Sequence, residues 1–265
     1  MPVNLLAYDF MQRAFLVGTI LAVLLPLIGL PIVLKRLSMM GDTLSHSSLA
    51  GVAAGLAFGF NPLVGSVVAC VIAALGVEAL RARLRAYQEI STVIILAASI
   101  GLAGIFTSFS GGSSAITTYL FGSIVTLGDL ELYLVLGVGV VVLVIYKLLY
   151  RHLYLTLFDT EVARLLGINS RKLNFVFSLL VALSVSVAAK TIGSLIVSSI
   201  LVIPSICAMQ LAKTYRGTLL VSIGASLVFV YAGLIISYYQ NLRPGAVIVL
   251  ISVFGLLAAL VFRKK

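Results

Sequence analysis

Long apolar runs separated by short clusters of charge fill this chain, and no other feature constrains its fold as much. A bilayer-spanning helix needs about 20 mostly apolar residues. Nine such runs follow one another, over about residues 14–34, 38–60, 62–80, 90–109, 130–150, 173–189, 191–210, 217–239 and 244–262. In a chain of 265 residues they leave only short connections and no room for an appended soluble enzyme domain. Hydrophobic residues make up 62% of the chain and charged ones 10%, with a mean hydropathy of +1.22, which excludes a water-soluble single core. The expected fold is all-α: a polytopic integral membrane protein of about nine transmembrane helices (eight to nine), in one transmembrane domain over 1–265.

The net charge of +10 does not point to nucleic acid, because the basic residues sit in short clusters between the apolar runs, as topology signals do. With nine spans, one side of the membrane collects all of the 18 basic residues except Arg13, Lys190 and Arg243. The positive-inside rule then places the C-terminus in the cytoplasm and the N-terminus outside, an asymmetry that eight spans would spoil. The leading MPVNLLAYDFMQR has one basic residue and Asp9 before the first run, unlike a secretory signal, so that run is read as a permanent span. Cys70 and Cys207 each lie inside an apolar run and indicate neither a disulfide framework nor a metal site; no role is assigned to Cys207.

Residues 110–128 are too polar and glycine-rich for a span and fit a short surface or re-entrant helix, or an outer loop. Pro26, Pro31 and Pro204 remove backbone donors inside spans one and seven and are expected to bend or break them. There is no internal repeat of the inverted kind found in many secondary transporters.

The most informative polar segment is KRLSMMGDTLSHSSLAGVAAGLAFG, residues 35–59. Asp42 and His46 are four residues apart and so share one helix face. Ionisable groups within a span are costly unless paired or wet, which makes them functional candidates. Carboxylate oxygen and imidazole nitrogen suit zinc, manganese or iron. Two ligands do not close a site, but two copies of the chain meeting about a twofold axis would supply four. The alternative is structural: Asp42 caps the helix and His46 makes a hydrogen bond one turn on. Gly51, Gly55 and Gly59 form a small-xxx-small stripe for close helix packing, with Gly51 on the opposite side of the helix from Asp42 and His46.

A second segment, FDTEVARLLGI over 158–168, reads as a short helix with Asp159 as N-cap, Glu161 in its first turn and Gly167 as its stop. Phe158, Val162, Leu165 and Leu166 give it an apolar stripe that needs a partner: lipid headgroups, the protein itself or another subunit.

Taken in order, KRLSMMGDTLSHSSLAG (35–51), YLFGSI (119–124), FDTEVARLLGI (158–168) and GSLIVSSILVIPSICAMQLA (193–212) resemble the membrane subunits of metal-uptake ABC transporters, the zinc and manganese permease family. The resemblance runs along nearly the whole chain. It implies a type II ABC importer-like permease working as a homodimer with two cytoplasmic ATP-binding-cassette ATPase subunits and an extracytoplasmic solute-binding protein, in a bacterial-type cytoplasmic (inner) membrane. It also implies that Asp42 and His46 line the pathway and contact the metal. On the same basis Phe158, Asp159, Glu161, Val162, Ala163, Leu165, Leu166 and Gly167, within a cytoplasmic segment of about 151–172, form the coupling helix that docks on the ATPase. Ser205, Ile206 and Cys207 depart from the small, Ala-rich run expected after the Ile-Pro of that family.

The chain has no G-x-x-x-x-G-K-[ST] loop, so ATP enters only through a partner; the chain itself is expected not to be an enzyme and to hold no permanent cofactor. Protonating an imidazole ligand weakens metal binding, so transport is expected to fall as pH drops through the histidine range. The rival reading is a secondary transporter or channel driven by an ion gradient, with Asp42 and His46 coupling protons. An intramembrane enzyme is disfavoured, because His46 and His152 are far apart in sequence and no H-E-x-x-H occurs.

Overall fold

In the computed structural model, residues 9–84, 88–110 and 128–261 are described, and they are helical nearly throughout. The helices are α1 (Asp9–Leu34), α2 (Met40–Phe58), α3 (Pro62–Arg83), α4 (Gln88–Ser110), α5 (Asp129–Phe158), α6 (Thr160–Leu165), α7 (Ser170–Ile192), α8 (Ser194–Leu211), α9 (Tyr215–Gln240) and α10 (Pro244–Val261). Each expected run coincides with one of the long helices. YLFGSI and most of the 110–128 segment lie outside the described residues.

Local chemistry sets the helix ends. Asn61 caps α3, its side chain accepting from the Leu63 amide, with Pro62 as the first helical residue, where a missing donor costs nothing. Asn169 caps α7 by accepting from the amides of Arg171 and Lys172, and Thr214 caps α9 by accepting from Gly217. Gly59 ends α2 with φ +73°, a left-handed conformation that glycine adopts without steric cost. Pro26 and Pro31 both sit within a continuous α1, and Pro204 within a continuous α8, so of the bend or break expected at these positions the break does not occur. Tight packing by neighbours holds α1 together: Leu24, Leu25, Ile28, Leu30 and Ile32 are all buried.

The core is built on α1, which packs against α5, α7, α8 and α9. Val17, Leu21, Leu25, Ile28 and Ile32 of α1 join Phe177, Val181 and Val185 of α7 and Val197, Ile200 and Leu201 of α8 in one apolar cluster. Beside it, α2 is enclosed by α3, α4, α7 and α8, and α10 packs on α8 and α9.

Among the described residues, seven helices are long and apolar enough to cross a membrane by themselves: α1, α3, α4, α5, α7, α9 and α10. The sequence expectation of about nine spans exceeds this count for two reasons. In α8 the apolar stretch among the described residues is Ile196–Leu211. In α2 the shortfall is one of composition, because its run of Thr43, Ser45, Ser47 and Ser48 is buried among other helices rather than turned to lipid. Those hydroxyls are largely satisfied inside the protein. Thr43 donates to the carbonyls of Met39 and Thr92, Ser47 pairs with Ser99 at 2.6 Å, and Ser48 pairs with Ser66 at 2.7 Å. A helix shielded from lipid in this way need not be apolar all round.

Between α2 and α3 the backbones nearly touch. A Cβ on Gly51 would lie 2.1 Å from the Gly65 carbonyl oxygen, and a Cβ on Gly65 would lie 2.2 Å from that of Gly51. Gly55 is confined less tightly, its added Cβ falling 2.8 Å from Pro62 Cα. By contrast Gly59 meets nothing within 4 Å and serves as the helix stop. Gly51→Ala is therefore expected to force the α2–α3 pair apart and destabilise the protein by about 2 kcal/mol, the usual scale of overpacking. Gly224→Ala on exposed α9, where an added Cβ meets nothing, is expected to be neutral or slightly stabilising. Thermal unfolding of the two variants in detergent checks the contrast.

Candidate metal site and coupling segment

The turn between α1 and α2 delivers the polar segment to the core. It is closed by the amide of Leu37 on the Ile32 carbonyl and that of Arg36 on Val33, with Arg36 left-handed at φ 57°. Lys35 folds back instead of reaching solvent. Its ammonium donates to Asn174 Oδ1 at 2.7 Å and stands 4.6 Å from the centroid of the Phe177 ring. Burial pushes Lys35 down to about 8, helped by the charge of Arg81 and opposed by that of Glu78.

Asp42 lies in the first turn of α2, where the helix dipole favours a negative charge. It is not the N-cap. Met39 holds that position, and no side chain caps the helix. The Asp42 carboxylate turns instead to α8, where Ser198 donates its hydroxyl to Oδ1 across 156 residues of sequence. Close approach of the two helices makes this reach possible: a Cβ on Gly41 would lie 3.0 Å from Leu201 Cδ2 and 3.2 Å from Ser198 Cα. Gly29 of α1 confines α8 from the other side, its added Cβ falling 1.9 Å from the Leu201 carbonyl oxygen.

His46, one turn further along α2, is half-buried, and no described residue hydrogen-bonds its ring. Ser45, between them in sequence, is buried with its hydroxyl unpaired among the described residues. Among the described residues no three His, Cys, Asp or Glu side chains gather into a closed metal site. One chain thus offers one carboxylate and one imidazole on a shared face, with Ser198 as an outer hydrogen-bond partner. An apolar cavity of about 390 Å³ between α3, α5 and α7 is lined by neither Asp42 nor His46.

The second candidate segment is an extension of α5, which continues well past the expected end at residue 150 to Phe158. Asp159 then caps α6, accepting from the amides of Glu161 at 3.1 Å and Val162 at 2.9 Å. At the other end Gly167, with φ +75°, donates to the Arg164 carbonyl while Ile168 donates to that of Ala163, a Schellman stop. Ala163 is fully buried. Phe158, Val162, Leu165 and Leu166 are exposed, Leu165 at 86%, so most of the apolar stripe stays uncovered among the described residues.

Two residues of consequence escaped the sequence reading. Ser198 falls within the 193–212 segment, but nothing in its local spacing pairs it with Asp42. Tyr215, the first residue of α9, looks from sequence like an ordinary interfacial tyrosine, yet it packs against Tyr150, Tyr154 and Phe158 of α5.

Among the described residues, seven apolar helices of spanning length, a polar helix enclosed among them and an exposed apolar helix at the end of α5 define a multi-pass membrane protein. The chain belongs to the ABC 3 transport family, whose model matches residues 7–263. It is 33% identical over 253 residues to a protein of Treponema pallidum (strain Nichols) named "probable metal transport system membrane protein", covering 96% of this chain and 95% of the relative. It is 27% identical over 262 residues to the manganese transport system membrane protein MntC of Listeria monocytogenes, covering 99% of this chain and 94% of that protein. Among solved structures, one of PsaBC from Streptococcus pneumoniae in complex with Fab superposes with a TM-score of 0.87 at 23% identity, covering 99% of this chain and 95% of the other, and so shares its fold.

Lys35 provides a test of this architecture by pH. Its folded value lies near 8 and its ordinary value at 10.5, so between the two the unfolded chain keeps a proton that the folded chain has released. Stability therefore rises as pH is raised through that window, and the charged form is the less favourable one below it. Relative to Lys35→Met, the wild-type protein is expected to gain thermal stability from pH 7.5 to 9.5, as read by unfolding scans in detergent at matched salt.

Proposed function

We propose that this chain is the membrane-spanning permease subunit of an ATP-driven importer for a divalent transition metal, manganese or zinc, with iron as a further candidate. The observation that carries the reading is the pairing of Asp42 with Ser198 of α8 rather than with its own helix end, which leaves a carboxylate, and an imidazole unpaired among the described residues, on one face of an enclosed polar helix. Mixed oxygen and nitrogen ligands bind such ions without the grip of a thiolate cage, as transport requires. In this reading two copies of the chain place their Asp42 and His46 faces together, giving the ion four protein ligands. All nine long helices among the described residues cross the membrane, α2 and α8 being shielded by their neighbours, and the membrane is a bacterial-type cytoplasmic (inner) one.

The chain is not an enzyme; two cytoplasmic ATPase subunits supply the work. Each receives the exposed stripe of Phe158, Val162, Leu165 and Leu166, held on a short helix fixed at both ends by Asp159 and Gly167. An extracytoplasmic solute-binding protein delivers the ion to the opposite side. ATP binding and hydrolysis then alternate the two faces of the pathway, and the metal is cargo that resides only in transit.

The reading is tested in proteoliposomes carrying this chain with its ATPase and binding protein. Uptake of radiolabelled manganese or zinc is expected to require ATP and to be lost in Asp42→Ala at equal protein content. Transport persisting with a hydrolysis-dead ATPase would contradict it and favour a carrier driven by an ion gradient. Leu165→Glu with Leu166→Glu is expected to abolish co-purification of the ATPase while leaving the thermal stability of the permease unchanged, since both side chains already face solvent.

A further inference from the structure

The extended end of α5 carries an aromatic ladder at four-residue spacing: Tyr146, Tyr150, Tyr154 and Phe158. Rings so spaced lie on one helix face. Tyr146 and Tyr150 meet at 6.3 Å between centroids, and Tyr154 and Phe158 at 5.0 Å. A single residue from elsewhere in the chain spans three of these rungs. Tyr215 stands 5.7 Å from Tyr150, 5.4 Å from Tyr154 and 5.9 Å from Phe158, and its hydroxyl lies 3.2 Å from that of Tyr146. The edge-on geometries with Tyr154 and Phe158 are favourable ones for aromatic pairs.

Position makes this cluster more than local packing. Along their lengths α5 packs on α1 and α7, whereas α9 packs on α1, α8 and α10. The rings join α5 to α9 at the end of α5 that leads directly into α6. Tyr215 is buried and opens α9 behind the Thr214 cap, so its ring is fixed to a rigid helix end, whereas Phe158 is 60% exposed next to Asp159. Leu153 anchors the end of α5 in the core cluster, and the Tyr215 ring adds the link from that end to α9.

We propose that Tyr215 is a positioning residue for energy coupling: it clamps the α5 extension to α9, so that movement of α6 is carried into the helices that pack on α8, which holds Ser198 against Asp42. This rests on the reading of α6 as the ATPase-docking helix. The clamp is the stack of rings, and the hydroxyl contact with Tyr146 is secondary. A proper clamp changes the yield of transport per ATP and leaves assembly untouched.

The experiment compares wild type, Tyr215→Phe and Tyr215→Leu, each in complex with its ATPase and reconstituted in proteoliposomes with the binding protein. It reads three quantities: ATPase subunits retained per permease, ATP hydrolysed, and manganese ions taken up per ATP. Tyr215→Leu is expected to retain the ATPase and its hydrolysis but to lower ions per ATP by roughly tenfold, within the usual range of coupling between sites. Tyr215→Phe, which keeps the rings, is expected to stay close to wild type. The proposal is overturned if Tyr215→Leu keeps the wild-type yield, if hydrolysis and uptake fall together, or if Tyr215→Phe is as defective as Tyr215→Leu. Should Tyr215→Leu fail to accumulate, Tyr150→Leu with Tyr154→Leu removes the partner rings instead, and a wild-type yield in that variant overturns the clamp equally. If the wild-type permease retains no ATPase at all, the docking reading itself fails, an outcome separable from every result above.

Discussion

A helix rich in hydroxyls and carrying a carboxylate cannot face lipid, and the enclosure of α2 is the constraint on which the remaining architecture depends. Water is absent from a bilayer interior, so each polar group must find its partner within the protein. Thr43, Ser47 and Ser48 do so on α3 and α4, and Asp42 does so on α8. Those bonds need short distances between helices, which Gly51, Gly65 and Gly41 provide by having no side chain where the backbones meet. Glycine packing and polar satisfaction are thus one device: each close approach brings a hydroxyl within reach of its acceptor.

Enclosure also concentrates function. Because α3, α4, α7 and α8 pack around α2, the Asp42 and His46 face is presented by a rigid helix, with the carboxylate oriented from outside its own element. The partner that orients it, α8, is pressed between Gly29 and Gly41 and packs on α9, which begins at Tyr215 beneath the α5 extension. A contiguous set of packed elements therefore runs from the exposed α6 stripe to the candidate metal ligands. Such contiguity makes coupling physically feasible, and the energetics of individual side chains decide whether it is used.

Much of this was legible in the sequence because it is encoded locally. Each of the nine apolar runs falls on a long helix among the described residues, and the spacing of Asp159, the apolar stripe and Gly167 describes α6 down to its caps. Gly51 and Gly55 announce a close helix contact, while Gly59 looks identical in sequence and differs only because the helix has already ended there. What the sequence hides are pairings between distant segments: Ser198 with Asp42, and Tyr215 with three rungs of α5. For Pro26 and Pro31 local rules allow a bend or a break, and with neighbouring helices packed around it α1 runs continuously through both. The low apolarity of α2 is likewise understood only once its neighbours are known.

The most direct test of the central claim is to locate the cargo. Anomalous diffraction from crystals of the assembled transporter soaked with manganese, trapped before release, should place a metal peak within about 2.0–2.3 Å of an Asp42 carboxylate oxygen and a His46 nitrogen, the range of direct coordination. The account predicts that peak and its loss in Asp42→Ala. Manganese bound elsewhere along the pathway, with Asp42 still held by Ser198 and His46 unligated, would contradict it.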